Sequence, residues 1–218
     1  VIPLTIGKPT ADEWIKNYAV HNNIHPVVMA WVKRETQVMQ SYRDLADGDT
    51  NPYSYNPKTH NGTGLSYVSP RSLETASHIV WDYKNNKTTE RQLMACLEGA
   101  IGREGAQQLA TFISLETQIP APDDIRNSPD TAIVPGDPAA VCLVMLSAVQ
   151  WVKTRADVSA WFRYITRKDP VSGKPMFANE TQALFVLNAR EKAELKEVME
   201  STTEFGKWAI GVKHLFGM

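Results

Sequence analysis

The chain has 218 residues, of which 43% are hydrophobic and 22% are charged, and its formal net charge is −1. A chain of this length buries roughly 70% of its unfolded surface, which suffices for one large domain or two small ones without disulfides or metal. The near-zero charge provides no electrostatic footprint that would point to nucleic acid or to an anionic membrane.

The first predicted elements are a strand and two helices. Residues 1–6 (VIPLTI) are short and β-branched, which favours a strand whose partner lies elsewhere. The capping-box pattern Thr10-Ala-Asp-Glu13 predicts a helix start, and Pro26 suits the first position of a second helix. The apolar positions of these helices are Trp14, Ile15, Tyr18 and Ala19, then Val27, Val28, Trp31, Val32, Val38 and Met39. The chain opens without methionine or a charged leader, so we expect it to represent part of a longer protein.

Apolar periodicity disappears over residues 44–68. Turn-forming pairs mark this stretch: Asp47-Gly48, Asn51-Pro52, Asn56-Pro57 and Asn61-Gly62. The pattern predicts about 25 residues of loop, a length that is usually functional or mobile within compact domains. We expect the main internal boundary of the chain here.

Order resumes at Ser69-Pro70-Arg71. Serine is a good N-cap and proline fits the first helical turn, so the sequence predicts a helix from about Pro70 to Tyr83. Its predicted buried face consists of Leu73, Ala76, Val80 and Tyr83.

The rest of the chain is predicted to be helical. The expected helices lie near 89–100, 103–117, 122–128, 137–153, 155–167, 179–188, 190–200 and 203–216. The segment 137–153 is apolar almost all round, which is typical of a helix at the core of the second half. The predicted fold class is all-α, a helical bundle with a short N-terminal strand.

The cysteines and the apolar runs bear on the cellular compartment. Cys96 and Cys142 lie in apolar, helix-like surroundings, which is typical of buried, reduced thiols in a cytoplasmic protein. The longest apolar run, 139–149, is shorter than the roughly 18–20 residues of a membrane span. We therefore expect a cytoplasmic protein without membrane contact.

Few catalytic signatures are present. His21 and His25 are four residues apart, a spacing that can place two metal ligands on one helix face. However, Asn22, Asn23 and Pro26 place both histidines in a turn, and no third ligand is evident. No Gly-x-Ser-x-Gly elbow supports Ser/His/Asp catalysis. We expect no metal site.

No phosphate-binding loop is recognisable either. Gly173-Lys174 lacks the glycine that would stand five residues earlier, and Pro175 occupies the Ser/Thr position that would hold magnesium. No hydrophobic strand ends in an Asp-Glu pair that could complete a metal site. By itself the chain should hold no cofactor and should not hydrolyse ATP.

Residues 66–80 (SYVSPRSLETASHIV) contain the most informative motif. This segment resembles the opening of the helical lid in MoxR-type AAA+ ATPases, particularly the stand-alone ATPases common in bacteria and their phages. In that family a Ser/Thr-Pro-Arg triplet begins the first lid helix, and its arginine is the sensor-2 residue that touches the γ-phosphate. The resemblance implies that Arg71 is a catalytic and nucleotide-binding residue, with Pro70 beside it in the nucleotide site.

The flanking segments follow the order of the same family. Residues 1–6 and Trp14 look like its last core strand and the helix that follows, and Ile24-His25-Pro26 matches the next element. Further on, Ile101-Gly102 with Phe112 is similar to a Gly-rich-to-Phe helix, and Ile119-Pro120, Ile125, Pro129 and Val134-Pro135 follow with familiar spacing. The resemblance covers about residues 1–150. Leu73 departs from it, because tryptophan is often found there in the relatives.

The resemblance implies a division of the chain and a set of partners. Residues 1–43 correspond to the end of the ATPase core, 44–68 to a loop, 69–150 to the helical lid and 151–218 to an added helical extension. The family's P-loop, acidic metal site and arginine finger lie in the core that would precede Val1, so ATP and Mg²⁺ are expected only in the complete ATPase. The implied partners are that core, neighbouring ring subunits and a client protein that is remodelled.

Two alternatives remain open at the level of sequence. Arg71 could form an ion pair with Glu74 or Asp82, since both lie on the same predicted helix. The chain as a whole could be a non-enzymatic helical binding or scaffold protein. For Arg71, the physics of the helix start also favours an anion, because backbone N–H groups and the guanidinium would converge on it.

Overall fold

A computed structural model describes residues 7–57 and 66–212 of the chain. Helices dominate both ranges, which contain no strand beyond an isolated bridge between Lys168 and Pro175, so the all-α class is confirmed. The strand predicted at residues 1–6 lies outside the described residues. The chain forms two compact units, Val1–Ile113 and Ser114–Met218, here called the N-terminal and C-terminal units.

The N-terminal unit begins with the predicted capping box. The Glu13 backbone N–H donates to Thr10 Oγ1 at 3.2 Å, and the Thr10 N–H donates to Glu13 Oε2 at 2.8 Å. Helix α1 (Ala11–Trp14) continues directly as a π-helical segment, Ile15–Ala19. Helix α2 (Pro26–Arg34) follows, with Pro26 in its first turn as predicted.

Helix α2 lies at the centre of the N-terminal unit. All its residues from Pro26 to Val32 are buried, and Trp31 packs edge-on against Tyr53 with ring centroids 5.8 Å apart. Short 3₁₀ turns follow at Thr36–Met39 and Tyr42–Asp44. Val38 and Met39, predicted to share the apolar stripe of α2, are buried from the first of these turns.

The predicted loop is irregular wherever the structure describes it, at 45–57 and 66–69. It is nevertheless attached to the unit, since Asn51 Nδ2 donates to the Gln37 carbonyl at 2.7 Å and the Ser66 hydroxyl donates to the Gly99 carbonyl. These contacts join the segments on both sides of the loop in one unit. The division between units therefore falls at Ile113 and Ser114, inside the predicted lid segment, and not at 44–68.

Helix α3 (Pro70–Lys84) matches the predicted span closely. Leu73, Ala76 and Val80 are buried as predicted, whereas Tyr83 is only half-buried. Ser77 takes a place in the core instead, where its hydroxyl accepts a hydrogen bond from the His25 backbone N–H at 2.8 Å. A buried hydroxyl is tolerated there because it is paired.

Helix α4 (Glu90–Ser114) is interrupted at Gly102, where φ is 79° and ψ is 166°. The break separates the two helices predicted near 89–100 and 103–117. A 3₁₀ turn, Leu115–Gln118, follows. Cys96 lies on the exposed side of α4, so the prediction that both cysteines are buried was correct only for Cys142. The reason is helical phase, since Leu93 and Leu97 define the buried face and Cys96 lies off it.

The C-terminal unit is built around helix α6 (Pro138–Trp151), which is buried almost all round as predicted. The other helices are α5 (Pro122–Asn127), α7 (Arg155–Ile165), α8 (Asn179–Ala189), α9 (Ala193–Glu200) and α10 (Thr203–Val212). Helix α6 packs mainly on α8, while α7 contacts α5, α9 and α10. The described residues 151–212 thus pack with 114–150 in the same compact unit.

An ionic cluster fixes the start of α7 in this unit. Asp157 is buried and accepts hydrogen bonds from Arg126 Nε at 2.8 Å and from the N–H groups of Lys153 and Thr154 at 3.0 Å. Burial raises the pKa of Asp157, but these hydrogen bonds outweigh that effect and hold its pKa below the usual value. Arg126 also stacks over the Trp151 ring, 5.0 Å from its centroid. The cluster is structural, because its charged groups are engaged with one another.

None of the helices in the described ranges combines the length and the apolar character needed to cross a membrane.

Candidate functional site at the start of helix α3

Arg71 is the second residue of α3 and its side chain is exposed. A serine capping box fixes this helix start. The Ser72 N–H donates to Ser69 Oγ at 3.1 Å, and the Ser69 N–H donates to Ser72 Oγ at 2.8 Å. The Leu73 N–H is satisfied by the Ser69 carbonyl at 2.9 Å. The backbone at Arg71 is therefore held in a defined position while its guanidinium remains in solvent.

A pocket of about 730 Å³ lies beside this helix start, within the N-terminal unit. The pocket combines residues from the segment before α1, from α1 and its π-helical continuation, and from the first turns of α3. Its lining residues are Gly7, Lys8, Pro9, Glu13, Trp14, Asn17, Tyr18, Pro70, Arg71 and Glu74. Both residues predicted for a nucleotide site, Pro70 and Arg71, are among them.

Aromatic side chains form one wall of the pocket. Trp14 is buried and Tyr18 is half-buried, and their rings stack with centroids 6.2 Å apart and planes at 27°. The two residues are four apart in sequence, so a helical backbone places them on the same face. Such a wall offers a flat apolar surface to a planar group.

Lys8 is a cation that lines the pocket. Its ammonium donates to the carbonyls of Gln40 at 3.2 Å and Val68 at 3.3 Å, so it links the segment before α1 to Gln40, ahead of the loop, and to Val68 at the end of the loop. Burial lowers the pKa of Lys8, and the charge of Asp44 partly opposes this. Its role in the described structure is to hold the pocket together.

Glu74 and Asp82, the two acids considered as partners for Arg71, are engaged elsewhere. Glu74 Oε2 accepts a hydrogen bond from the Tyr18 hydroxyl at 2.8 Å. Asp82 forms an ion pair with Lys87 at 2.8 Å. Over the described ranges Arg71 forms no ion pair, so the ion-pair alternative for this arginine is not observed.

The sequence did not indicate that Lys8, Tyr18 and Glu74 would meet at one pocket. Tyr18 was predicted only as part of an apolar helix face, and Glu74 only as a partner for Arg71. The spacing of Trp14 and Tyr18 could have suggested an aromatic wall. The contact of Tyr18 with Glu74 spans 56 residues, and no local pattern reveals it.

The two histidines predicted in a turn have different environments. His25 is buried as the N-cap of α2, where its Nδ1 accepts a hydrogen bond from the Val27 N–H at 3.2 Å, and His21 is exposed. Across residues 7–57 and 66–212 no group of three or more His, Cys, Asp or Glu side chains could hold a metal ion. The charged residues that line the α3 pocket are Lys8, Glu13, Arg71 and Glu74.

A larger groove of about 930 Å³ lies in the C-terminal unit. Phe162 and Trp208 form its apolar part, and the exposed Lys168 and Lys207 lie at its edge. The buried Gln182 is paired within the unit, since its Nε2 donates to the Phe177 carbonyl and its Oε1 accepts from the Trp208 indole. No buried polar group of this groove is directed to a ligand, so we regard the α3 pocket as the stronger candidate.

Comparison with known proteins finds no match among protein-family profiles, curated proteins or solved structures. The functional assignment below therefore rests on the residues of the α3 pocket and on the motif at 66–80.

Proposed function

We propose that this chain is the lid-containing part of a MoxR-like AAA+ ATPase and that Arg71 is its sensor-2 arginine. ATP binds between the ATPase core and the lid, and hydrolysis moves the lid to remodel a client protein. The observation that supports this proposal best is the exposed guanidinium of Arg71, which lines an aromatic-walled pocket without an acidic partner in the described chain.

The electrostatics of the helix start favour an anionic ligand. A cation in the first turn of a helix opposes the helix dipole by a few tenths of a kcal/mol, so Arg71 is not placed there for stability. A bound phosphate reverses that penalty, because it interacts favourably with the guanidinium and with the helix N-terminus. The fork of the guanidinium can also bind two phosphate oxygens at once.

The size and the walls of the pocket suit a nucleotide. Ligand pockets typically enclose about 300–1,000 Å³, and this one falls within that range at about 730 Å³. Trp14 and Tyr18 provide an aromatic surface, and Arg71 provides the charge at the rim.

The remaining catalytic groups belong to the ATPase core. The core supplies the phosphate-binding loop and the magnesium ligands, and this chain contributes Arg71, with Pro70 fixing the start of its helix. Arg71 stabilises the charge that develops on the γ-phosphate. The proposal includes assembly into a ring with neighbouring subunits and a cytoplasmic location.

The direct test measures ATP hydrolysis by the complete ATPase. Arg71→Ala should slow hydrolysis by about tenfold or more, because one charge-stabilising donor is lost. Arg71→Lys should restore only part of the rate, since an ammonium cannot reproduce the bidentate fork. Both variants should retain the wild-type melting temperature, because the side chain is exposed.

Arg91 offers a matched control. It is the second residue of α4, as Arg71 is of α3, and it is exposed. Arg91→Ala should leave the rate of hydrolysis unchanged. A folded Arg71→Ala enzyme that hydrolyses ATP at the wild-type rate would contradict the sensor-2 assignment and favour a scaffold role for the chain.

A further inference from the structure

Tyr18 and Glu74 form a hydrogen bond across the wall of the α3 pocket. The Tyr18 hydroxyl, from the π-helical segment Ile15–Ala19, donates to Glu74 Oε2 at 2.8 Å. Glu74 lies three residues after Arg71 on α3, so its carboxylate is held one turn from the guanidinium.

Glu74 would otherwise be a suitable partner for Arg71. Side chains three residues apart on a helix are neighbours, and an acid and a base at this spacing attract each other. In the described structure this pair is not formed, and the carboxylate contacts Tyr18 instead. The Glu74 carboxylate thus has two possible partners, Arg71 on its own helix and Tyr18 on the π-helical segment, and the fold pairs it with Tyr18.

We infer that Tyr18 is a positioning residue that holds Glu74 away from Arg71, so that the guanidinium stays available to a phosphate anion. This inference rests on the proposed function, because it assumes that the unpaired Arg71 guanidinium binds a phosphate. It goes beyond that function by assigning a role to a residue that does not itself touch the phosphate.

The local structure makes Tyr18 a reliable donor. Its ring is stacked on the buried Trp14, which restricts its orientation. The hydrogen bond to Glu74 raises the pKa of Tyr18, so the hydroxyl keeps its proton at neutral pH. π-Helical turns occur frequently at functional sites, and this one places the ring at the pocket wall.

The inference predicts how Tyr18→Phe changes anion binding by the full chain. Phenylalanine keeps the ring and its packing but removes the donor, so Glu74 becomes free to pair with Arg71. Binding of inorganic phosphate, followed by NMR titration of the amide and Arg71 Nε–Hε signals, should weaken about two- to five-fold, the range expected for an exposed ion pair in competition. Adding Glu74→Gln to Tyr18→Phe should restore the affinity, because the competing charge is removed.

A measurement without ligand tests the same contact directly. Pairing with a carboxylate slows rotation about the Cζ–Nε bond of arginine, so the Arg71 side-chain signals should broaden or split in Tyr18→Phe but not in the double variant. Tyr55→Phe is the control, since Tyr55 is an exposed tyrosine of the same unit outside the pocket lining. It should change neither measurement.

The outcomes separate this inference from the proposed function. If Arg71→Ala weakens phosphate binding while Tyr18→Phe changes neither affinity nor the Arg71 signals, the positioning role is wrong and the function stands. If Tyr18→Phe weakens phosphate binding and Glu74→Gln does not restore it, the role of Glu74 is wrong. If Arg71→Ala leaves phosphate binding by the chain and ATP hydrolysis by the complete ATPase unchanged, the proposed function fails, and the ligand-free signals of the wild type and of Tyr18→Phe still decide whether Tyr18 holds Glu74.

Discussion

At the scale of single residues, Arg71 and His25 have opposite environments in the same unit. Arg71 is exposed and free to meet an anion, whereas His25 is only 3% exposed and packs edge-on against Trp81 with ring centroids 4.3 Å apart. The imidazole caps α2 through Nδ1, which requires that nitrogen to be unprotonated. The first residue is thus available for function, and the second is a structural part of the core.

The buried His25 predicts a dependence of stability on pH. Burial, helped by the positive charge of Lys84, lowers its pKa from 6.5 to about 3. Below pH 6.5 the unfolded chain takes up a proton at this position and the folded chain does not. The free energy of unfolding should therefore fall between pH 6.5 and 3, by up to about 1.4 kcal/mol per pH unit from this residue.

Replacement of His25 isolates this contribution. His25→Asn retains an N-cap acceptor but does not titrate. Urea unfolding measured between pH 7 and 4 should show a shallower loss of stability than in the wild type, whatever the absolute stability of the variant. His21→Asn, at an exposed position, should keep the wild-type slope. An unchanged slope in His25→Asn would show that other groups cause the acid sensitivity.

At the scale of elements, the break in α4 illustrates how one glycine fits two segments together. Gly102 has a positive φ, and a Cβ at this position would lie 2.5 Å from the Ser66 carbonyl oxygen. The Ser66 hydroxyl also donates to the Gly99 carbonyl, so this end of the loop is held to α4 just before the break and approaches it closely at the break. The glycine is needed for its backbone conformation and for the close approach of another chain segment.

The Gly102→Ala variant should be strongly destabilised. Its Cβ meets both an unfavourable backbone conformation and a backbone oxygen that cannot move independently, so we expect a loss of about 2 kcal/mol or more. Gly99→Ala is the matched control, because it lies in the same helix with open space around it. It should stabilise the protein by about 0.5–1 kcal/mol. Urea unfolding of both variants provides the comparison, and equal effects would contradict the proposed constraint at Gly102.

The irregular backbone of the loop 44–68 is predicted by its turn-forming pairs. The contacts that attach this loop to the rest of the N-terminal unit cannot be inferred from the sequence in the same way. Tyr53 is buried against Trp31, and Asn51 is buried and bonded to the Gln37 carbonyl. Tyr53 and Tyr55 stand among turn formers without a sustained apolar period, so only its tertiary contact identifies Tyr53 as part of the core.

At the scale of the whole molecule, the motif at 66–80 and the pocket belong to the N-terminal unit alone. The C-terminal unit has its own core, in which Trp161, Phe162 and Phe185 pack together with centroid separations of 5.1–6.2 Å. Residues 151–212, beyond the part of the sequence that resembles the ATPase family, supply most of the buried residues of that unit.

The full chain by itself should show no ATP turnover. None of its three Gly-Lys pairs, Gly7-Lys8, Gly173-Lys174 and Gly206-Lys207, has a glycine five residues earlier or a Ser/Thr directly after the lysine. Gly173-Lys174 lies in a turn where the Gly173 N–H donates to the Asp169 carbonyl at 2.9 Å, and the next helix begins only at Asn179. A phosphate-binding loop instead leads directly into a helix N-terminus. Hydrolysis assays on highly purified chain should remain at background. Multiple turnovers that persist after removal of contaminating ATPases would contradict this expectation.

The sequence by itself determined the helical class, most helix spans and the position of Arg71. These features depend on local rules: capping boxes at Thr10 and Ser69, prolines in first turns, and apolar spacing of three and four residues. Such rules act within one or two helical turns, so a single sequence is enough to recognise them.

Only the tertiary structure decided where the units divide and which aromatic residues line the pocket. It also decided that Glu74 pairs with Tyr18 and not with Arg71. The hydrogen bond between Tyr18 and Glu74 and the contact of Ser66 with Gly102 join segments 56 and 36 positions apart. Contacts at such separations depend on how helices pack, and many partners are compatible with the same local pattern. The motif at 66–80 therefore predicted Arg71 as a site residue, but not the neighbours that leave it free.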